Sequence, residues 1–137
     1  MKRTTAACTL VGAIPGALPP VMGCTAVTGE LSLSALLLFT ILFMWQLPHF
    51  LALCWILRED YERGGFPMLS VIDPEGGLLS RQVALYSMAL LPASLLPTVL
   101  GVAGVRYFAA ALVLGVVFLA MSFGLVRSRT HVNARRL

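Results

Sequence analysis

The stretch from Trp45 to Leu69, WQLPHFLALCWILREDYERGGFPML, decides the fold of this chain. Its first half belongs to an apolar run long enough to cross a bilayer, and its second half is a charged cluster that ends at Gly64–Gly65. The apolar run nevertheless contains Gln46, Pro48 and His49. Polar groups are expensive to place at membrane depth, so they are candidates for a functional site.

Composition indicates an all-α integral membrane helical bundle. Of the 137 residues, 58% are hydrophobic and 12% are charged, which is about half the charged fraction of a soluble domain. The apolar residues also cluster in runs that are too long for the helices of a soluble core. A soluble protein of this length would have too small a core to hide them.

The hydropathy pattern predicts about four transmembrane helices in a single domain. The second is long enough to span roughly 40 Å at 1.5 Å per residue, which exceeds a hydrocarbon core of about 30 Å. We therefore expect it to tilt, or to kink at Pro48. The small residues and prolines of the first helix predict packing inside the bundle. Within the domain, 1–137, the predicted helices are about 8–27, 31–57, 82–104 and 107–126, and the large loop is 58–81.

Basic residues are distributed unevenly between the predicted loops. Arg106 is the single basic residue of one side, and all the others fall on the opposite side. Cytoplasmic segments of membrane proteins are enriched in Lys and Arg, so both termini and the 58–81 loop are predicted to be cytoplasmic. This topology accounts for the basic residues without nucleic-acid binding, which needs a dense basic face. Those others are Lys2, Arg3, Arg58, Arg63, Arg81, Arg127, Arg129, Arg135 and Arg136.

Asp60 and its basic neighbours have two interpretations each. Asp60 follows the second helix directly, where its carboxylate could hold a Mg²⁺ ion that bridges phosphate oxygens. It could equally be a solvated charge paired with Arg58 or Arg63. Together with Lys2 and Arg3, these arginines could form a cationic clamp for a diphosphate. The same basic residues are also what the topology rule requires.

The polar and aromatic residues inside the second helix leave a similar choice. His49 lies four residues after Trp45 and therefore on the same helix face. It could form a hydrogen bond between helices, or line a cavity that holds a large planar substrate. Gln46 has the same two interpretations. Other aromatic residues nearby could line the cavity or form an interfacial belt; they are Phe50, Trp55 and Tyr61.

Five segments in order along the chain resemble a known family, the protoheme IX farnesyltransferase branch of the UbiA-type superfamily of intramembrane prenyltransferases. The specific patterns are W-Q-x-P-H-F at residues 45–50 and D-Y-x-x-G-G-x-P-M, which begins at Asp60. The segments are KRTT at 2–5, VGAIPGALPPVMGCTAVTG at 11–29, FMWQLPHFLAL at 43–53, REDYERGGFPML at 58–69 and NARRL at 133–137.

This resemblance implies part of a UbiA-like prenyltransferase fold and a reaction. A farnesyl group would pass from farnesyl diphosphate to a vinyl group of heme B, giving heme O for terminal oxidases. Mg²⁺ is the implied cofactor, and heme B is a substrate. The lipid bilayer is the implied environment, in the bacterial inner membrane or, as second choice, the mitochondrial one. Heme A synthase or oxidase assembly proteins are the implied partners.

The resemblance also implies residue roles. Asp60 belongs to the second acidic motif, which holds Mg²⁺, and Lys2 to the basic motif near the diphosphate; both are implied to be catalytic. The remaining residues are implied to contact substrates. Those implied to bind the diphosphate are Arg3, Arg58, Tyr61 and Arg63. Those implied to line the heme-facing cavity are Trp45, Gln46 and His49.

One departure from the family pattern concerns the first acidic motif, N-D-x-x-D-x-x-x-D, which this chain lacks. The family also has more than four helices. We therefore expect the chain to be a central-to-C-terminal piece that lacks the last helix and is inactive alone. Two alternatives are a prenyltransferase with an aromatic quinone-precursor acceptor, and a non-enzymatic four-helix protein that binds heme or assists oxidase assembly.

Overall fold

The computed structural model describes residues 8–65 and 68–127, with side chains from residue 11 onward. In these ranges every regular element is a helix, which confirms the predicted all-α class. Four of the helices, α1, α2, α5 and α6, are long and apolar enough to cross a membrane. The chain is therefore an integral membrane protein. The helices are α1 Cys8–Thr28, α2 Leu33–Ile56, α3 Arg58–Arg63, α4 Leu69–Ile72, α5 Gly77–Val99 and α6 Val105–Arg127.

The α5 helix begins and ends about one turn earlier than the sequence pattern predicts. Its start at Gly77 follows from the turn before it, where Gly76 has a φ of 70°. The Asp73 carboxylate accepts hydrogen bonds from the N–H groups of Leu78 (2.6 Å) and Leu79 (3.0 Å). Because those N–H groups have no partner inside the first turn, the side chain stabilises an early helix start. The predicted 58–81 loop is thus mostly helical.

Helix α2 runs from a capped start through its proline to the charged cluster. The Ser32 hydroxyl accepts a hydrogen bond from Ala35 N–H (3.2 Å) and caps the first turn. Pro48 is buried inside the helix, which continues to Ile56; the kink there stays a prediction. Leu57 leaves the helical conformation, and α3 begins at the next residue. α3 ends at Arg63, with Gly64 as its C-cap.

The four long helices pack in chain order, α1 on α2, α2 on α5 and α5 on α6. A larger share of α2 and α5 is buried than of α1 and α6, so α2 and α5 form the centre of the array. The expectation that the Pro-rich first helix packs inside a bundle is wrong for the described part of the chain. There α1 lies at an edge, because it packs mainly on α2 and its other face is open.

An apolar core lies at the end of the array nearest the charged cluster. It joins α2 to α5 and α6, and α4 covers it through Leu69. Its members are Leu51, Ala52, Trp55, Leu79, Val83 and Leu125.

Candidate functional site

Asp60 is held at the surface of α3 by its own helical neighbours. The Arg63 guanidinium lies 3.7 Å from a Glu59 carboxylate oxygen and 3.8 Å from Asp60 Oδ1. All three side chains are 68–76% exposed, and such exposed pairs contribute at most about 1 kcal/mol. The pairing with Arg63 is the one foreseen as an alternative to metal binding, but it is weak enough for a ligand to displace.

Arg58 differs from Arg63 in its surroundings. Its guanidinium carbon lies 4.9 Å from the centroid of the Trp55 ring, in a cation–π contact. Arg58 is half-buried and Trp55 is 4% exposed. A cation over an aromatic face is stabilised most when the pair is partly shielded from water. Arg58 is therefore the better fixed of the two arginines.

The remaining charged-cluster candidates divide by position. Tyr61 is half-buried on α3, between the two arginines in the sequence. Lys2 and Arg3 lie outside the described residues. The structure thus brings Arg58, Asp60, Tyr61 and Arg63 together on one short helix at the end of α2.

The chemistry of α3 fits one part of a magnesium–diphosphate site. Mg²⁺ is usually bound through one or two carboxylates, with substrate phosphates and waters as further ligands. Asp60, with Glu59 beside it, offers exposed carboxylate oxygens of this kind. Across residues 8–65 and 68–127, no group of three or more His, Cys, Asp or Glu side chains is placed to hold a metal by itself. A metal here would depend on ligands that the described residues do not supply.

Trp45 and His49 form a stacked pair on α2. Their ring centroids lie 4.9 Å apart with an interplanar angle of 11°. The His49 ring also meets Phe50 at 6.2 Å in a tilted arrangement. Trp45 is more exposed than His49, so the outer face of the stack belongs to Trp45. The pair presents a flat aromatic surface one helical turn long.

Gln46 points in another direction. It is buried against α1, where a Cβ added to Gly16 would overlap Gln46 Oε1. Successive residues of an α-helix are about 100° apart around its axis, so Trp45 and Gln46 face different neighbours. Gln46 lies at the α1–α2 interface rather than on the groove described next.

A groove of about 770 Å³ opens between the long helices. Its wall is apolar apart from the Ser94 hydroxyl, the Tyr107 hydroxyl and the Trp45 indole, and it includes no charged side chain. Along α6 the groove runs from Tyr107 to Met121, about 21 Å at 1.5 Å per residue. The lining residues are Pro20, Leu38, Ile41, Leu42, Trp45, Leu90, Ser94, Tyr107, Ala110, Ala111, Leu114, Gly115, Val117, Phe118 and Met121.

Of the three residues that the resemblance assigns to a heme-facing cavity, Trp45 lines this groove, whereas Gln46 and His49 are absent from its lining. The walls supplied by α5 and α6 were not predicted from the sequence. The one signal in the sequence is the pair Ala110–Ala111 followed by Gly115, which leaves space on one side of α6. Phe50, Trp55 and Tyr61 are absent from the lining, and Trp55 is instead a core residue.

The groove and the charged cluster lie at different depths along α2. Trp45 lines the groove, His49 follows one turn later, and Ile56 ends the helix just before Arg58. From Trp45 to Ile56 the helix rises about 16 Å. Such an arrangement can hold an apolar chain within the bilayer and an anion at the membrane surface.

Comparison with known proteins finds similarity along the whole chain. The model of the UbiA prenyltransferase family matches residues 1–137. Protoheme IX farnesyltransferase of Solibacter usitatus is 47% identical over 135 residues, which are 98% of this chain and 46% of that protein. The Myxococcus xanthus protein of the same name is 44% identical over 99% of this chain and 46% of its own length. That of Salinibacter ruber is 42% identical over 100% of this chain and 48% of its own length.

The chain therefore spans about half the length of the curated relatives it matches. No solved structure matches it.

Proposed function

Because the chain belongs to the UbiA prenyltransferase family, we propose that it forms part of an enzyme that transfers a farnesyl group from farnesyl diphosphate to a vinyl group of heme B, giving heme O. The relatives named protoheme IX farnesyltransferase support this choice of substrates. The structural observation that carries the proposal is the 770 Å³ apolar groove, joined through α2 to an exposed cluster of carboxylates and guanidinium groups.

The charged cluster on α3 is the proposed diphosphate pole. Asp60 would hold Mg²⁺, which supplies positive charge to the diphosphate oxygens when it is bound. Arg58 and Arg63 would donate hydrogen bonds to the same oxygens, because guanidinium groups match phosphate geometry. Tyr61 would add a phenolic donor. Lys2 and Arg3 complete the pole on the strength of the motif resemblance.

Positive charge at this pole assists the reaction because negative charge grows on the diphosphate as it leaves. The allylic carbon–oxygen bond would break with its electron pair going to the diphosphate, and the vinyl group would supply the pair for the new carbon–carbon bond. The positive charge left on the other vinyl carbon would then be neutralised by water, which adds as a hydroxyl group and releases a proton. Donors that are already in place stabilise the departing anion without reorganising. Of the two arginines, Arg58 comes closer to that requirement, because it is stacked on Trp55.

The groove is the proposed site of the prenyl chain. Its apolar wall would take up the hydrocarbon and keep water from the allylic carbon before the new bond forms. Trp45 and His49 are the proposed heme-facing residues, because a flat aromatic stack favours an offset packing against a planar macrocycle. Gln46 would contribute indirectly, by holding α1 against α2.

The setting of the enzyme is proposed on the same grounds. The basic residues favour an orientation with the 58–76 segment and both termini in the cytoplasm. The bacterial relatives favour the bacterial inner membrane, with the mitochondrial inner membrane as second choice. Heme A synthase or oxidase assembly proteins would be its partners.

A chimera tests the proposal. The present chain replaces the segment that it matches in the Solibacter usitatus relative, and the chimera is produced in a bacterium that lacks heme O synthesis. Mass spectrometry of extracted pigments should find heme O. A prenylated phenol without heme O would indicate a quinone-precursor acceptor, and a correctly inserted chimera that makes neither product would contradict the proposal. The 137-residue chain alone should make no heme O.

A further inference from the structure

We infer that Trp55 is a positioning residue, which holds the Arg58 guanidinium where it meets the diphosphate. This inference rests on the proposed function and assigns a role that none of the motif residues has. Trp55 touches neither the groove nor the proposed ligand, so its effect would pass through Arg58. Three features of the structure support it.

The first feature is the stack itself. The Arg58 guanidinium lies 4.9 Å from the centroid of the Trp55 ring, three residues away on the same side of the chain. Trp55 is 4% exposed and belongs to the apolar core with Leu79 and Val83. Because the ring is fixed by core packing, the guanidinium that stacks on it has far fewer positions than that of the exposed Arg63.

The second feature is the support behind the ring. A Cβ atom added to Gly76 would lie 2.6 Å from both Cη2 and Cζ3 of Trp55, so the backbone of the turn presses against the indole edge. Gly76 is itself buried and has a φ of +70°. Such a conformation favours glycine. The turn before α5, whose first N–H groups are capped by Asp73, therefore packs against the edge of the Trp55 ring and restricts its position.

The third feature is a buried hydrogen-bond donor without a partner. Among the described residues, Trp55 Nε1 has no hydrogen-bond acceptor. An unpaired buried N–H destabilises the folded state, and phenylalanine would avoid this cost. Tryptophan, however, provides the best aromatic face for a cation. The cation–π contact with the Arg58 guanidinium thus accounts for tryptophan at this position.

Binding of inorganic pyrophosphate to the chimera in detergent micelles, with Mg²⁺ present, tests the inference, because the described residues of this chain do not supply a complete metal site. Radiolabelled pyrophosphate gives the Kd. Trp55→Leu removes the aromatic face and should raise the Kd about 3- to 10-fold, the range of one cation–π contact. Trp55→Phe keeps a ring and should restore most of the affinity. Circular dichroism checks that each variant is folded.

Two glycines provide a matched comparison. Gly76→Ala strains the backbone and displaces the indole, so it should raise the Kd to a similar extent. Gly101 has a nearly identical φ of 72°, but no heavy atom lies within 4 Å of a Cβ added there. Gly101→Ala should therefore leave the Kd unchanged.

The double variant Trp55→Leu/Arg58→Ala distinguishes positioning from general support of the fold. If Trp55 acts through Arg58, the double variant should bind no more weakly than Arg58→Ala alone.

The outcomes distinguish the positioning role of Trp55 from the assignment of α3 as the diphosphate pole. An unchanged Kd in Trp55→Leu, or additive effects in the double variant, would overturn the positioning role and leave the diphosphate pole standing. A correctly inserted parent chimera that binds no pyrophosphate would overturn both the positioning role and the assignment of α3 as the diphosphate pole.

Discussion

Ser87 on α5 and Ser122 on α6 are joined by a hydrogen bond of 2.7 Å between their hydroxyl oxygens, and both side chains are buried. Each hydroxyl is also within hydrogen-bonding distance of a carbonyl of its own helix, Val83 O at 2.8 Å and Phe118 O at 2.9 Å. Two hydroxyl protons can serve two of these three contacts at once. One serine can thus donate to its own helix while the other donates across the interface.

We expect this pair to stabilise the α5–α6 packing. Ser87→Ala should lower the free energy of unfolding by about 0.6–2 kcal/mol, the range for hydrogen bonds between membrane helices. Titration with sodium dodecyl sulfate, followed by circular dichroism, measures the loss. Ser80→Ala is the control, because Ser80 is equally buried but donates to Gly77 O within its own helix. Equal losses in the two variants would show that the interhelical bond has no stabilising role.

Gly16 should be sensitive to any added side-chain atom. Gly16→Ala would place its Cβ against Gln46 Oε1, and overpacking of a tight interface costs about 1–3 kcal/mol. Gly12→Ala is the matched control on the same helix, since a Cβ there meets no atom within 4 Å. Adding Gln46→Ala to Gly16→Ala should recover stability in the same unfolding assay. The contact is unimportant if Gly12→Ala and Gly16→Ala behave alike.

Asp60→Asn should lower heme O production by the chimera at least about 100-fold, because it removes the carboxylate charge proposed to hold Mg²⁺, which would in turn stabilise the departing diphosphate. Glu59→Gln should reduce it less than about threefold, although Glu59 pairs with the same arginine; exposed ion pairs contribute little. Heme O extracted per unit of membrane-inserted protein is the measurement. Comparable losses in both variants would assign the effect to the overall charge of α3.

Filling the groove should discriminate between prenyl chain lengths. Ala111→Phe reduces the space in the groove and should raise the KM of the chimera for farnesyl diphosphate about 10-fold or more, with a smaller effect for a shorter prenyl diphosphate. Ala109 on the same helix is exposed and does not line the groove. Ala109→Phe should therefore leave both KM values unchanged. If Ala111→Phe also leaves them unchanged, the prenyl chain lies elsewhere.

Much of the fold was predictable from the apolar runs. Four membrane helices follow from local residue types, and the structure confirms them. The start of α5 was not predictable from hydropathy. It depends on Asp73 reaching Leu78 and Leu79 across a glycine turn.

The candidate site was predictable only where it is local. Asp60, Tyr61 and Arg63 follow one another closely, so their common helix could be inferred from the sequence. The sequence could not predict that Trp45 lines the groove while Gln46 packs against α1, because helical spacing fixes only the angle between two residues. Which neighbour each residue meets depends on the helices that pack there.

The amino-acid sequence by itself determined that this chain lies in a membrane and approximately where its apolar helices run. It also determined that carboxylates and arginines cluster at the end of α2. These properties depend on residue type and on spacing along one helix. Tertiary structure alone decided that α5 and α6 wall the groove, that Gln46 meets Gly16, and that Gly76 supports the Trp55 ring beneath Arg58. Such contacts join residues far apart in the chain, and they form only when packing brings complementary shapes together.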